Sequence, residues 1–159
     1  MSLIGSDVLK IEYVVVGAIS TLKIPPLALP EFIDDLWKRN CFELFIGQQN
    51  GHYVECNFSP SRQWATYYFE GYRSGMAPAM NLPAPDIYVE SDQLVRFATT
   101  NWIDVSQLYA SLDWRFALSA IIEESDGTKS YWALAHPPGE PDFHHPDCFA
   151  LQLEAPTKL

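Results

Sequence analysis

The chain is predicted to be an all-β protein, a two-layer antiparallel β-sandwich with at most one or two short helices. Three observations carry that prediction. Alternation of apolar and polar residues with period two recurs in short runs at 8–16, 41–47, 53–58, 64–70, 93–102, 113–123, 129–134 and 148–153. Aromatic residues make up 14% of the chain, and such rings favour pleated, half-buried surfaces over helices. Proline-rich stretches at Pro25–Pro30, Pro83–Pro85 and His136–Pro141 fall between the runs. Proline cannot donate a ladder hydrogen bond, so these read as loops that cross between sheets.

The 159 residues fit a single domain spanning 1–159, a length that sandwiches occupy without subdividing. With 48% hydrophobic and 19% charged residues, there is apolar surface enough for a core. Helical spacing is confined to Glu31 to Lys38, where Pro30 precedes Phe32, Asp35 and Leu36.

Two hairpins can be read further. Phe42, Leu44 and Ile46 share the core face with Val54, Cys56 and Phe58 only if the loop is the odd Gln49-Asn50-Gly51. That loop pairs Leu44 with Cys56 and Glu43 with Asn57, with Gly51 in the left-handed region after a type I turn. In the second hairpin, a two-residue Asp126-Gly127 turn sets Glu124 opposite Lys129 and Ile122 opposite Tyr131.

The net charge of −10 repels phosphate backbones and anionic lipid headgroups, so nucleic acid and membrane surfaces are not expected partners. No apolar run approaches the roughly 20 residues of a membrane span. No basic flank leads into an apolar segment at the N-terminus, so no signal peptide is visible and a cytoplasmic location is expected. Cys41, Cys56 and Cys148 lie in apolar runs without CxxC spacing and read as buried thiols. The oligomeric state is not legible.

With Phe42, Leu44 and Ile46 inward, Glu43 and Phe45 turn to the opposite face with Glu55 and Asn57. If Ala65, Tyr67 and Phe69 also point inward, Trp64, Thr66, Tyr68 and Glu70 join them. Carboxylates, an amide and flat rings are what sugar recognition needs, since rings stack on the C–H side of a pyranose while polar groups bond its hydroxyls. Polar-out alternation alone also accounts for Glu43 and Glu55. Paired carboxylates raise glycoside hydrolysis, but GxSxG, HExxH and phosphate-cradling glycine motifs are missing, and no enzyme activity is expected. The stretch from His136 to Asp147 gathers three histidines with acids but has no regular ligand spacing. It is expected to hydrogen-bond, and no metal or cofactor is expected.

Three segments carry a family resemblance: Leu36-Trp37-Lys38-Arg39-Asn40-Cys41-Phe42-Glu43-Leu44-Phe45-Ile46-Gly47, Tyr53-Val54-Glu55-Cys56-Asn57-Phe58-Ser59-Pro60-Ser61, and Trp64-Ala65-Thr66-Tyr67. They resemble the bacterial DOMON-like domain group related to family-9 carbohydrate-binding modules, as do Ser130–Leu134 and Pro141–His145. The resemblance implies a jelly-roll-like sandwich that binds haem or sugars. It carries over Trp37 and Glu43 as ligand-binding candidates and leaves a second stacking tryptophan open among Trp64, Trp102, Trp114 and Trp132. Family-9 modules usually belong to secreted xylan-degrading enzymes, which sits poorly with the missing signal peptide.

The function expected is non-catalytic ligand binding, to a small sugar or polysaccharide. The alternatives are a haem-binding or protein-interaction module on the same fold, then a cryptic glycoside hydrolase. Trp37, Glu43, Asn57, Trp64 and Tyr68, with Arg39, Arg62 and His144 at the margin, are expected to converge on one pocket.

Overall fold

A computed structural model describes residues 1–108 and 112–153. Its strands are β1 (Ser2–Ile4), β2 (Val8–Val16), β3 (Cys41–Gln48), β4 (Tyr53–Phe58), β5 (Trp64–Phe69), β6 (Ala77–Pro78), β7 (Asp86–Ser91), β8 (Arg96–Asp104), β9 (Leu112–Glu123), β10 (Lys129–Ala133) and β11 (Leu151–Gln152). They form two antiparallel sheets, the smaller in the order β1-β2-β8-β7 and the larger in the order β10-β9-β3-β4-β5-β6, with β11 beside β9. The all-β sandwich is therefore as predicted.

The sheets meet over one apolar core. Leu9 and Ile11 of β2 and Phe97 and Ile103 of β8 face Phe42, Leu44 and Ile46 of β3, Val54, Cys56 and Phe58 of β4, and Phe116 and Ile122 of β9. Burying each large side chain removes apolar surface from water and stabilises the fold by about 1.5–3 kcal/mol. A second cluster lies on the outer face of the larger sheet, where Phe45, Tyr53, Tyr67, Phe69, Ala117 and Ile121 are covered by Leu36, Phe143 and Cys148. Polar-out alternation thus fails for β3 and β4, which are buried on both faces.

The first hairpin has the predicted register, Leu44 opposite Cys56 and Glu43 opposite Asn57. Its turn differs in detail, because Asn50 at φ 64° enters the left-handed region before Gly51 at φ 79°. The second hairpin is corrected by one residue: Lys129 faces Glu123 and Tyr131 faces Ile121. The loop is the three residues 125–127, closed by the Glu124 N–H donating to the Thr128 carbonyl and shaped by the Asp126 carboxylate accepting from the Thr128 N–H. Hydrophobicity could not have excluded the slip, because Ile121 and Ile122 are both buried on opposite faces of β9.

The face of β5 is also corrected. Trp64 joins the core between the sheets and Tyr68 packs against it, whereas Ala65, Tyr67 and Phe69 belong to the outer cluster. Glu31 to Lys38 forms a 3-10 turn only at Leu36–Lys38. From Glu31 to Ile33 the chain runs beside β5, with Ile33 and Trp64 donating their N–H groups to the carbonyls of Trp64 and Glu31, before a turn at Asp34 and Asp35. The 93–102 run is the β7–β8 hairpin in part, and β1, β6 and β7 have no counterpart among the predicted runs. Pro25–Pro30 and Pro83–Pro85 do cross between sheets, but His136–Pro141 lies in the connection between two strands of the larger sheet, and that connection packs Phe143 and Cys148 against the outer face.

Candidate functional site

Glu43 and Glu55 stand on the outer face of the larger sheet. Glu43 is paired with Asn57, two residues beyond Glu55, so the two glutamates are diagonal neighbours about 7–8 Å apart on adjacent strands. They are 2% and 4% exposed, and each has one neutral donor. Ser119 Oγ donates to Glu43 Oε2 at 2.8 Å, and Asn57 Nδ2 donates to Glu55 Oε1 at 2.7 Å. Burial, joined at Glu43 by the charge of Glu55, raises both carboxyls well above their ordinary range. The pair accordingly retains a proton into the neutral range.

Over these carboxyls opens a cleft of about 510 Å³ lined by Trp37, Arg73, Tyr131, Phe143 and His144 among others, a volume within the usual span of small-molecule sites. Trp37 is set by the 3-10 turn, its ring meeting Tyr67 edge-on at 5.7 Å. Tyr131 projects outward from β10, 45% exposed and 6.2 Å from Phe143. Lys129 also lines the cleft and donates to the Lys38 carbonyl at 2.5 Å.

His144 comes from the loop that follows β10. Asp142 staples that loop to the β5–β6 turn: it accepts from Arg73 Nη2 at 2.7 Å, from the Tyr72 hydroxyl at 2.5 Å and from the His144 N–H at 3.2 Å. His144 Nδ1 lies 2.8 Å from the Tyr53 hydroxyl, and its Nε2 lies 3.8 Å from Glu55 Oε2. Burial, together with the Arg73 charge, pushes His144 down to about 4, so at neutral pH the imidazole is uncharged and its approach to Glu55 is not an ion pair. Among the described residues, no group of three His, Cys, Asp or Glu is placed to hold a metal ion.

Of the residues singled out from sequence, Trp37, Glu43 and His144 line the cleft. Asn57 lies beneath it, fully buried and bonded to Glu55. Arg39 is exposed at the end of the 3-10 turn and Arg62 sits at φ 78° in the turn between β4 and β5, both outside the lining. Trp64 and Tyr68 are on the opposite face of the sheet and do not reach it. Loop parity carries the missing signal: the five residues 59–63 pair Phe58 with Trp64 and so commit Trp64 to the core face of Phe58. Arg73, Tyr131 and Phe143 are additions that sequence reasoning misses, since Arg73 and Phe143 lie in loops without a strand period and the outward turn of Tyr131 follows from the β9–β10 register.

No family model and no curated protein matches the chain. Its fold is similar to the crystal structure of a proposed carbohydrate-binding protein from Bacteroides uniformis ATCC 8492, with a TM-score of 0.52 and 11% identity over 90% of this chain and 71% of that one. At that identity the similarity is one of fold.

Proposed function

We propose that the chain is a non-catalytic carbohydrate-binding protein whose sugar sits in the Glu43–Glu55 cleft. The observation that carries this reading is a buried hydrogen-bonding floor in one cavity with the half-buried Trp37 ring and the exposed Tyr131 ring. Trp37 and Tyr131 offer surfaces for the C–H side of a pyranose. Glu43, Glu55 and the His144 Nε2 offer partners for its hydroxyls, and a proton-sharing carboxyl pair both donates and accepts. The fold similarity to the Bacteroides protein and the resemblance to DOMON-like and family-9 modules support the same ligand class.

Haem, the other ligand of that resemblance, does not fit. Met76 and His144 both line the cleft, and Met/His ligation is a known haem pattern. Yet His144 Nδ1 is engaged by Tyr53, and its Nε2 faces Glu55 across 3.8 Å. A floor of two carboxyls is also a poor bed for an apolar macrocycle.

The test is isothermal titration of a panel of mono- and oligosaccharides into the chain and into Trp37→Ala and Glu43→Gln. Weak, saturable binding of at least one sugar, lost or reduced in both variants, is expected. No binding across the panel at millimolar concentration, or binding unchanged in both variants, overturns the reading.

A further inference from the structure

The two acids of the Glu43–Glu55 cleft have no cation of their own. Each commits one oxygen to a neutral donor, Glu43 Oε2 to Ser119 and Glu55 Oε1 to Asn57. Among the described residues nothing donates to Glu43 Oε1, and Glu55 Oε2 has only the uncharged His144 at 3.8 Å. Neither oxygen is sealed in, because the one described side-chain atom both closed to solvent and unbonded is Asn101 Oδ1, on β8 of the smaller sheet. Two carboxyl oxygens of a buried pair therefore open onto the cleft floor without a partner. The cations at its mouth are engaged elsewhere. Arg73 is held by Asp142 at 2.7 Å and Lys38 by Asp35 at 2.5 Å, while Lys129 donates to the Lys38 carbonyl.

We propose that the sugar bound here carries a protonated amino group, which sits on the cleft floor and donates to Glu43 Oε1 and Glu55 Oε2. The inference rests on the carbohydrate reading and names the class of sugar. A hydroxyl donates once, whereas an ammonium has three N–H donors and reaches both acids. A carboxylate buried without a counter-charge is costly, and a bound cation relieves that cost, so the floor favours an amine over the hydroxyl of the parent sugar and disfavours an acidic sugar. The rings of Trp37 and Tyr131, whose faces carry partial negative charge, line the same cleft. Seating the ammonium requires the pair ionised, so as one ligand cation enters, at least one proton passes from the pair to the solvent. Fewer protons remain to be expelled as pH rises, so affinity climbs between about pH 5.5 and 7, roughly tenfold per unit for each proton released. His144, lowered to about 4, is uncharged in that window. The other titratable groups around the pair, Tyr13, Cys41, Tyr53, Cys56 and Tyr67, are pushed up by burial and stay neutral there too.

Isothermal titration tests this with glucosamine, galactosamine and mannosamine, each beside its parent hexose and its N-acetyl derivative, and with glucuronic acid. At about pH 6.5, at least one amino sugar is expected to bind roughly tenfold or more tighter than its parent and its N-acetyl derivative. Repeating that titration in buffers of different ionisation enthalpy counts the protons released. Glu43→Gln and Glu55→Gln each bring the amine and parent affinities within about twofold of each other and reduce the proton release, with thermal melts checking that both variants are folded. Where a variant binds nothing, the wild-type preference and proton count decide. Parent hexoses that bind as tightly as the amines, tighter binding of glucuronic acid, absence of proton release, or an amine preference that survives both glutamine variants each overturns the proposal and leaves the carbohydrate reading standing. If no sugar binds, or if cyclohexylamine binds as tightly as the amino sugar, that reading falls and the proposal with it.

Discussion

Tyr53 of β4 and His144 of the loop after β10 are joined by a hydrogen bond of 2.8 Å. Its direction follows from the surroundings. The Tyr53 oxygen already accepts the Arg73 N–H at 3.3 Å, and burial pushes the phenol up to about 12. The hydroxyl therefore donates to Nδ1, and the network assigns the His144 proton to Nε2. That N–H lies 3.8 Å from Glu55 Oε2, too far for a direct bond and a distance that a water or ligand hydroxyl bridges. The loop is thus fixed so that a donor and an acceptor lie near enough for one oxygen atom seated beside them to bond both.

The buried acids give stability an inverted dependence on pH. A carboxyl raised by folding holds its proton while the unfolded chain loses it, so Glu43 and Glu55 make the fold less stable as pH rises from about 4.5 into the neutral range. His144, lowered to about 4, acts in the opposite sense, its effect confined to the interval between 6.5 and that value. Above 6.5 the carboxyls act alone. The melting temperature is expected to fall between pH 6.5 and about 8, with roughly 1.4 kcal/mol lost for every tenfold gain in a carboxyl's proton affinity on folding and about 2–4 °C lost per kcal/mol. Glu43→Gln flattens that limb and raises stability at its alkaline end. Calorimetric scans showing the same slope in the variant reject this account.

Phe42 and Phe58 are opposite each other at the end of the β3–β4 hairpin, 2% and 0% exposed. Truncating either to alanine removes buried ring area and leaves a cavity, at a cost of about 3–5 kcal/mol. Urea unfolding measures it, and a loss below about 1 kcal/mol means that the inter-sheet core is not where the structure places it.

The hairpin around Gln49–Gly51 was legible because two strands with unlike faces met through a loop of fixed parity. The β9–β10 hairpin was not, because β9 is apolar toward both layers and hydrophobicity does not separate adjacent registers. β5 misled for a related reason: Trp64, Thr66 and Tyr68 are as suited to a core as Ala65, Tyr67 and Phe69. Glu43 and Glu55 were visible as a pair, but their burial was not, because the cover over them is made by the 31–38 and 141–149 segments. Apart from Cys148 and Phe149, which the alternation assigns to a strand and of which Cys148 ends a 3-10 turn, those segments have no strand period, so their docking on the sheet leaves no mark in the sequence.

Trp64 separates the two faces experimentally. Its ring is 8% exposed and meets Phe32 edge-on at 5.5 Å in the inter-sheet core. Trp64→Ala is expected to cost about 3–5 kcal/mol of stability. In whatever fraction remains folded, it leaves affinity at the Glu43–Glu55 cleft unchanged. Denaturant unfolding and sugar titration on the same preparation decide the point, and a stable variant with lost binding returns Trp64 to the site.

Asp142 is the residue on which the cleft's rim depends. Burial pushes its carboxyl up, but hydrogen bonds from Tyr72 and Arg73 outweigh this and hold it below the ordinary carboxylate value. The same carboxylate accepts the N–H of His144, so one group fixes Arg73 at the rim and the histidine at the floor. Asp142→Ala strands these donors, and charge-assisted hydrogen bonds of this kind each contribute about 1.5–3 kcal/mol when well shielded. With Arg73 half exposed and the Asp142 side chain 19% exposed, screening reduces the loss to about 1–2 kcal/mol. The local effect is larger than the global one: the loop after β10 loses its anchor, and backbone amides of residues 141–149 are expected to exchange with solvent faster than those of β3 and β4 do in the same variant. Hydrogen exchange read by mass spectrometry measures this. Unchanged protection of that loop in Asp142→Ala shows that the Phe143 and Cys148 side chains, buried in the outer cluster, hold it without the carboxylate.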